Sequence, residues 1–293
     1  MPDFWIHSLA GQLVLEELKD LSWKEMIGEN RKIYNLGCQG PDFFFYNDFL
    51  PCISKKRGPR IGNMLHDEKT KSLFLESINY LKKAQNHEDF PILASYFSGF
   101  VTHYVIDKHE HPFINARTKN FTEHKTLEIK LDTYFVKKYW NKRVHRLSPS
   151  STIDLGKKLP PAIVRFYRDI LDTTYGVSLE ANTINDSYRD YKRVFDIFYS
   201  PRGYKRFFFN LLNAVIPIDI SICIYPSDID EDILTKEEFL EFENIFLKGT
   251  SEGIKLLGLI ASYLKGETAR HQLEAAFHDI SFSGRPTCDS SDS

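Results

Sequence analysis

At 293 residues the chain is long enough to bury a full hydrophobic core, as one large domain or two ordinary ones. A hydrophobic content of 42% and a charged content of 27% fit a soluble globular protein, and a formal net charge of −2 gives no bulk electrostatic hold on nucleic acid. No stretch approaches the roughly 18 apolar residues of a membrane span, since the most apolar one, Phe207 to Tyr225, is broken by Asn210, Asn213, Pro217 and Asp219.

The opening Met-Pro-Asp-Phe-Trp-Ile-His lacks the basic region, apolar run and cleavage site of a secretion signal, so a cytoplasmic protein that keeps its first residues is expected. Residues 5 to 19 form an amphipathic helix with Leu9, Leu13 and Leu18 near one face. Residues 35 to 53 change character: Asn35 to Asp42 is rich in turn formers, and the aromatic run Phe43-Phe44-Phe45-Tyr46 follows. Ser54 to Gly62 reads as a basic loop. Helices are then expected at about 68 to 86, 90 to 108, 122 to 141, 160 to 173, 186 to 199, 203 to 215, 235 to 248 and 251 to 264, with Pro91 and Ser251 as start signals. Period-two alternation is scarce, so the expected fold class is all-α, a single domain over 1–293 that ends in a disordered tail from about 286. The four cysteines, Cys38, Cys52, Cys223 and Cys288, form no CxxC pair and read as free thiols of a reducing compartment.

The chemistry gathers in the first 130 residues. His103 and Asp107 are four apart, as are Asp107 and His111, and His124 and Glu128, so each pair shares one helix face. An imidazole and a carboxylate together on an apolar face need a partner, and a divalent cation supplies one. His111 shares the Asp107 face and precedes Pro112, which is expected to end the helix; His109 points elsewhere and reads as surface, near a pocket rim. Asp42, in Gly40-Pro41-Asp42, suits a turn as well as a ligand. His66 reads equally as a helix-entry residue with Asp67 as N-cap, and His7 as decoration of the first helix. Residues 150 to 293 offer little chemistry, with His271 and His278-Asp279 read as structural or surface.

Taken in order, His7, Gly40-Pro41-Asp42, His66, His103-x3-Asp107-x3-His111 and His124-x3-Glu128 resemble the zinc-dependent phospholipase C family over residues 1 to about 130. The resemblance implies the all-α fold that this family shares with the S1/P1 nucleases, and two or three zinc ions as cofactor. One zinc would take Asp42, His66, His103 and Asp107, and a second His111, His124 and Glu128. The family's third ion uses an N-terminal Trp amine and carbonyl, a His and the shared Asp. Here Trp5 is internal, leaving His7 and Asp107, and the chain looks closest to bacterial members without secretion signals. The expected activity is hydrolysis of a phosphodiester, a phospholipid among the candidates, by a zinc-activated water, with Asp42 as the catalytic base. Phe43, Phe44, Phe45 and Tyr46 would line the cleft, and Lys55, Lys56, Arg57 and Arg60 would attract an anionic group or form a solvated loop. Two alternatives stand beside this: an HD-type metal phosphohydrolase built on His66-Asp67 with a later Asp such as Asp132, and a non-catalytic helical binding protein stabilised by zinc.

Overall fold

The computed structural model describes residues 4–48, 56–213, 223–227 and 234–287. Its helices are α1 (Phe4–Glu17), α2 (Leu21–Glu29), α3 (Arg31–Gly37), α4 (Arg57–Asp67), α5 (Thr70–Lys83), α6 (Phe90–Arg117), α7 (Phe121–Trp140), α8 (Pro149–Ile153), α9 (Pro161–Tyr175), α10 (Ala181–Phe198), α11 (Tyr204–Asn213), α12 (Lys236–Leu264) and α13 (Arg270–Ala276). Short 3-10 turns lie at Asp42–Tyr46 and Val144–Arg146. Among the described residues there is no β-strand, so the fold is all-α, and no helix is long and apolar enough to cross a membrane.

Helix α6 is the axis of the molecule. Every residue from Leu93 to Asp107 is buried, the pattern of a helix surrounded by others. Its neighbours α1, α3, α9 and α12 pack directly on it. The crossing with α3 is the closest: a Cβ on Gly37 would lie 2.0 Å from the Tyr96 carbonyl oxygen, and one on Gly99 2.3 Å from that of Tyr34. Only backbone fits there, and this contact delivers the segment after α3 to the middle of α6. Gly40 then turns with φ +54°, where a side chain is disfavoured and a Cβ would strike His103 at 2.1 Å. Asp42 follows and is thereby fixed against α6.

Several elements differ from the sequence expectation: α2, α3, α8 and α13 lie outside the expected helices, α10 begins at Ala181 rather than 186, and two differences fall on the long helices α6 and α12. Pro112 does not end α6, which continues to Arg117 and buries Phe113 and Ile114 beyond the proline. The helices expected at 235 to 248 and 251 to 264 are one, α12, because Gly249 and Gly253 lie against Val105 of α6 and the pair acts as a packing surface rather than a break. Thr235 starts α12 with a capping box: its hydroxyl accepts from Glu238 N at 3.2 Å while its own N–H donates to Glu238 Oε2 at 2.9 Å. The expected basic loop at 54 to 62 is helical from Arg57, with Lys55 outside the described residues. At the end of the chain, Thr287 N donates to the Asp279 carbonyl at 3.0 Å and Pro286 bridges to Ile280, so the segment is paired through residue 287; Cys288 to Ser293 lie outside the described residues. Cys38 is buried as a free thiol, Cys223 is partly buried, and Cys52 lies outside the described residues.

Glu252 of α12 ties α6 down from outside, bonding Lys108 Nζ and, at 2.6 Å, His109 Nε2. His109 therefore points away from the other α6 histidines, as its register predicts. Burial alone would raise the Glu252 carboxyl, but the His109 and Lys108 contacts bring it down to about 2 from an ordinary 4.5. A depressed folded value means the contribution is complete above pH 4.5 and disappears as the pH falls towards 2. Allowing for its partial exposure, Glu252→Gln should lower unfolding free energy by about 1 kcal/mol at neutral pH. Denaturant titrations should show that gap closing below about pH 4.5.

Candidate metal centre

Four elements converge at the centre of the fold. His7 comes from the second turn of α1, Asp42 opens the 3-10 turn, His66 ends α4, and His103 and Asp107 lie one turn apart on α6. His7 Nε2 stands 3.2 Å from Asp107 Oδ1, while His103 Nε2 and His66 Nε2 stand 3.3 Å and 4.0 Å from Asp107 Oδ2. Asp42 Oδ1 lies 3.0 Å from His66 Nε2 and 3.4 Å from His103 Nε2. Asp107 thus offers one oxygen to each side, and two ligand sets emerge that share His103: His7, His103 and Asp107, and Asp42, His66 and His103.

A third set, His111, His124 and Glu128, joins the next turn of α6 to α7. His124 Nε2 is 2.8 Å from Glu128 Oε1, one turn away on α7, whose start is fixed by Asn120 Oδ1 accepting from Glu123 N at 2.9 Å. In each set the candidate atoms lie within 4.8 Å of one another, a span that one ion can bridge.

Two histidines have their tautomers set by backbone. His66 Nδ1–H donates to the Gly62 carbonyl at 2.7 Å and His111 Nδ1–H to that of Phe282 at 2.7 Å, leaving each Nε2 with a lone pair facing its set. Asp132 of α7 works the same way on α1: its oxygens accept from Trp5 N at 2.9 Å and Ile6 N at 2.7 Å, capping the helix that carries His7.

The charge states of His7, His111 and the carboxylates suit a cation, and His103 would have to give up its proton to one. Burial lowers the pKa of His7, aided by the neighbouring His103, and takes His111 down to about 4, so both rings are neutral. Burial acts the same way on His103, but the carboxylates of Asp107 and Asp42 outweigh it and hold that ring above its ordinary value. Burial favours protonated Asp42 and Asp107, yet the imidazoles around them, His103 foremost, hold both well below the usual carboxylate range. Burial would also raise Glu128, and its positive surroundings, His124 and Lys125 among them, bring it to about 2.

Zinc fits these residues by a separate criterion. Both ring nitrogens of His7 and His103, both oxygens of Asp107 and Nε2 of His111 are buried without a hydrogen-bond partner. Buried polar atoms are nearly always paired, and orphans concentrated on imidazole and carboxylate groups match the donor set of a zinc site.

All eight residues singled out in the sequence, His7, Asp42, His66, His103, Asp107, His111, His124 and Glu128, fall in these sets. The helix-entry reading of His66 does not hold, since it sits in the last turn of α4 with Asp67 exposed beside it. The aromatic run divides. Phe43 and Phe44 are fully buried against Tyr167 and belong to the core, Phe45 stacks near His66 at 5.0 Å between centroids, and Tyr46 reaches a cavity. Arg57 pairs loosely with Asp48 at 3.8 Å and takes no part in the centre.

Two participants, Glu110 and Phe282, escaped the sequence reading, and a third, Asp132, has another role than the one read there. Glu110, three residues after Asp107, is fully buried with neither oxygen hydrogen-bonded; its i, i+3 spacing from Asp107 was the available signal. Asp132, read from the sequence as a ligand of the HD-type alternative, instead caps α1 and accepts from the Tyr225 hydroxyl at 2.6 Å. Phe282 acts through its carbonyl and through its ring, 4.6 Å from His66 and 5.7 Å from His103, which no residue pattern encodes. The C-terminal half therefore contributes to the centre after all. Beside the third set lies a small, largely apolar cavity of about 60 Å³, lined by Tyr46, Lys125, Phe195, Phe198 and Tyr225 among others; Lys125 Nζ is 3.7 Å from Glu128 Oε2.

A family model described as zinc-dependent phospholipase C matches residues 6–175, more than half of the chain, and encloses every residue of the three sets while stopping short of Phe282. Neither the curated proteins nor the solved structures gave a match. Matched by this model over more than half of its length, the chain belongs to the zinc-dependent phospholipase C family.

Proposed function

We propose that the chain is a zinc-dependent phosphoesterase that hydrolyses a phosphodiester, and that the eight residues of the three sets are its metal ligands. The observation that carries this is the concentration of partnerless buried nitrogen and oxygen atoms on His7, His103, Asp107 and His111, inside the span of the family match. Bound in such sets, zinc supplies a Lewis acid that polarises phosphoryl oxygens and makes water acidic enough to attack near neutral pH.

The protein's own groups do the rest. Asp107 sets the spacing between neighbouring sites by offering an oxygen to each. His66 and His111 are locked in the ligating tautomer by the Gly62 and Phe282 carbonyls. Asp42 is held ionised to well below the usual carboxylate range, so it can orient water and accept a proton from it. Its low pKa makes it a better director of that water than a keeper of the proton. A structural zinc role fits less well, because such sites are usually closed by four ligands, often with cysteine, and neither described cysteine is in any set. The HD-type alternative needs Asp67, which is exposed, and leaves Glu128 without purpose.

Elemental analysis of the purified protein should give at least two zinc ions per chain. His124→Ala should lower that content and reduce hydrolysis of a chromogenic phosphodiester by about 10²-fold or more. Asp67→Ala should change neither. Fewer than two metals, or turnover indifferent to His124→Ala, would remove the proposal.

A further inference from the structure

Helix α11 places Tyr204, Phe207 and Phe208 at i, i+3 and i+4, the spacing that normally turns large side chains towards a core. Here that face looks outward, with the three rings 75%, 78% and 58% exposed. They are three of the eight exposed large apolar side chains among the described residues, and a fourth, Ile197 at 40%, lies on the adjoining end of α10. The helix is not loose at its start. Phe209 turns in on Phe198 with centroids 5.3 Å apart, Lys205 N donates to Ser200 Oγ at 3.1 Å, and Lys205 Nζ to the Asp196 carbonyl at 2.6 Å.

Charge selects the occupant of this face. Arg202, just before α11, and Arg146 are both exposed and line one open cavity mouth together, and Lys205 is exposed on the helix itself. The nearby acid, Asp196, accepts from Ser150 Oγ at 2.5 Å. In a chain of net charge −2 this is a local basic rim around exposed aromatics. A second copy packed face to face on this rim would bring one cluster of basic groups up to another, which like-charge repulsion opposes. An interfacial helix with aromatic residues on one flank and basic residues beside it suits the headgroup region of an anionic bilayer.

The geometry points to a membrane-docking surface made by Ile197, Tyr204, Phe207 and Phe208 with Arg146 and Arg202, whose partner is a lipid surface bearing anionic headgroups. The surface is continuous with the apolar cavity, because Phe198, Tyr199 and Ser200 line that cavity immediately before α11, and Lys125 on its far side approaches Glu128. Docking therefore brings the cavity mouth to the bilayer. This extends the phosphoesterase reading to a substrate held in a membrane and rests on it in that respect alone, since docking needs no turnover.

The test is co-sedimentation of the whole protein with vesicles of phosphatidylcholine, with and without a minority of phosphatidylglycerol. Wild type should partition onto the mixed vesicles, less strongly at high salt and on phosphatidylcholine alone. The double variant Phe207→Ser, Phe208→Ser and, separately, Arg146→Glu with Arg202→Glu should each weaken that partition by about ten-fold or more. Hydrolysis of the soluble chromogenic diester should be unchanged in both. Absence of wild-type binding, equal binding by either variant, equal binding to phosphatidylcholine alone, or a wild-type dimer that the serine variant dissociates would each overturn docking. Vesicle binding without hydrolysis would sink the enzyme reading and leave docking standing; hydrolysis without vesicle binding would do the reverse.

Discussion

His103→Ala should be the most damaging single substitution in the molecule, with hydrolysis reduced by about 10³-fold or more and more than one zinc ion lost per chain. The reason is that His103 Nε2 stands between the two carboxylates on its side of the centre, 3.4 Å from Asp42 Oδ1 and 3.3 Å from Asp107 Oδ2, so that although its one lone pair serves one ion its loss disturbs both overlapping sets, whereas His124 belongs to one. Removing the ring leaves His7 and His66 to face two buried carboxylates without the group that contributes most to keeping them ionised. The third set is built from different side chains on α6 and α7 and should keep its metal. Elemental analysis beside the His124→Ala protein decides the matter: equal metal loss in the two variants would show that His103 is not shared, and a far-ultraviolet spectrum like that of wild type would show that the loss is local.

That contrast between shared and unshared ligands could not be read from spacing. The pairs His103/Asp107 and His124/Glu128 are legible because helix geometry alone sets residues one turn apart on one face. Where separate segments meet is decided by tertiary contacts that leave no periodic trace: the Gly37 and Gly99 backbones touching, Gly40 turned against His103, and the Phe282 carbonyl receiving His111. The helical class is legible for the same local reason, and its errors are local too. Proline and glycine cost a helix interior about 3 and 1 kcal/mol, and read alone they suggest ends at Pro112 and Gly249. Burying each large apolar side chain is worth about 1.5–3 kcal/mol. Phe113 and Ile114 beyond the proline, and Leu256, Leu257 and Ile260 beyond the glycine, outweigh those costs and carry both helices through. The exposed aromatic face of α11 is the opposite failure, since an i, i+3, i+4 aromatic set reads as core and the structure turns it to solvent.

Glu110 supplies the second large effect, and it should appear in the metal-free protein as a stabilising substitution. Its carboxyl is fully buried, neither oxygen is hydrogen-bonded, and Asp107, Asp132 and Glu128 surround it with like charge. Burial first, and those charges second, push its pKa well above the ordinary 4.5. A raised folded value means that its contribution to stability is fully present below 4.5 and is lost as the pH rises through that folded value. Between 4.5 and that folded value the metal-free protein should lose about 1.4 kcal/mol per pH unit through this group, and above it no more. Glu110→Gln keeps the shape and removes the charge. In chelator, its melting temperature should therefore hold up as the pH is raised from 4.5 through that folded value while that of wild type falls, with about 2–4 °C separating the two for each kcal/mol. Zinc changes the sign of the local field, because cations beside Asp107 and Glu128 offset the carboxylates that oppose ionised Glu110. The advantage of the glutamine should then vanish or reverse in the zinc-loaded protein. Parallel melting curves for the two proteins in chelator at every pH would show that Glu110 carries no uncompensated charge, and that a different group balances the carboxylates of the empty centre.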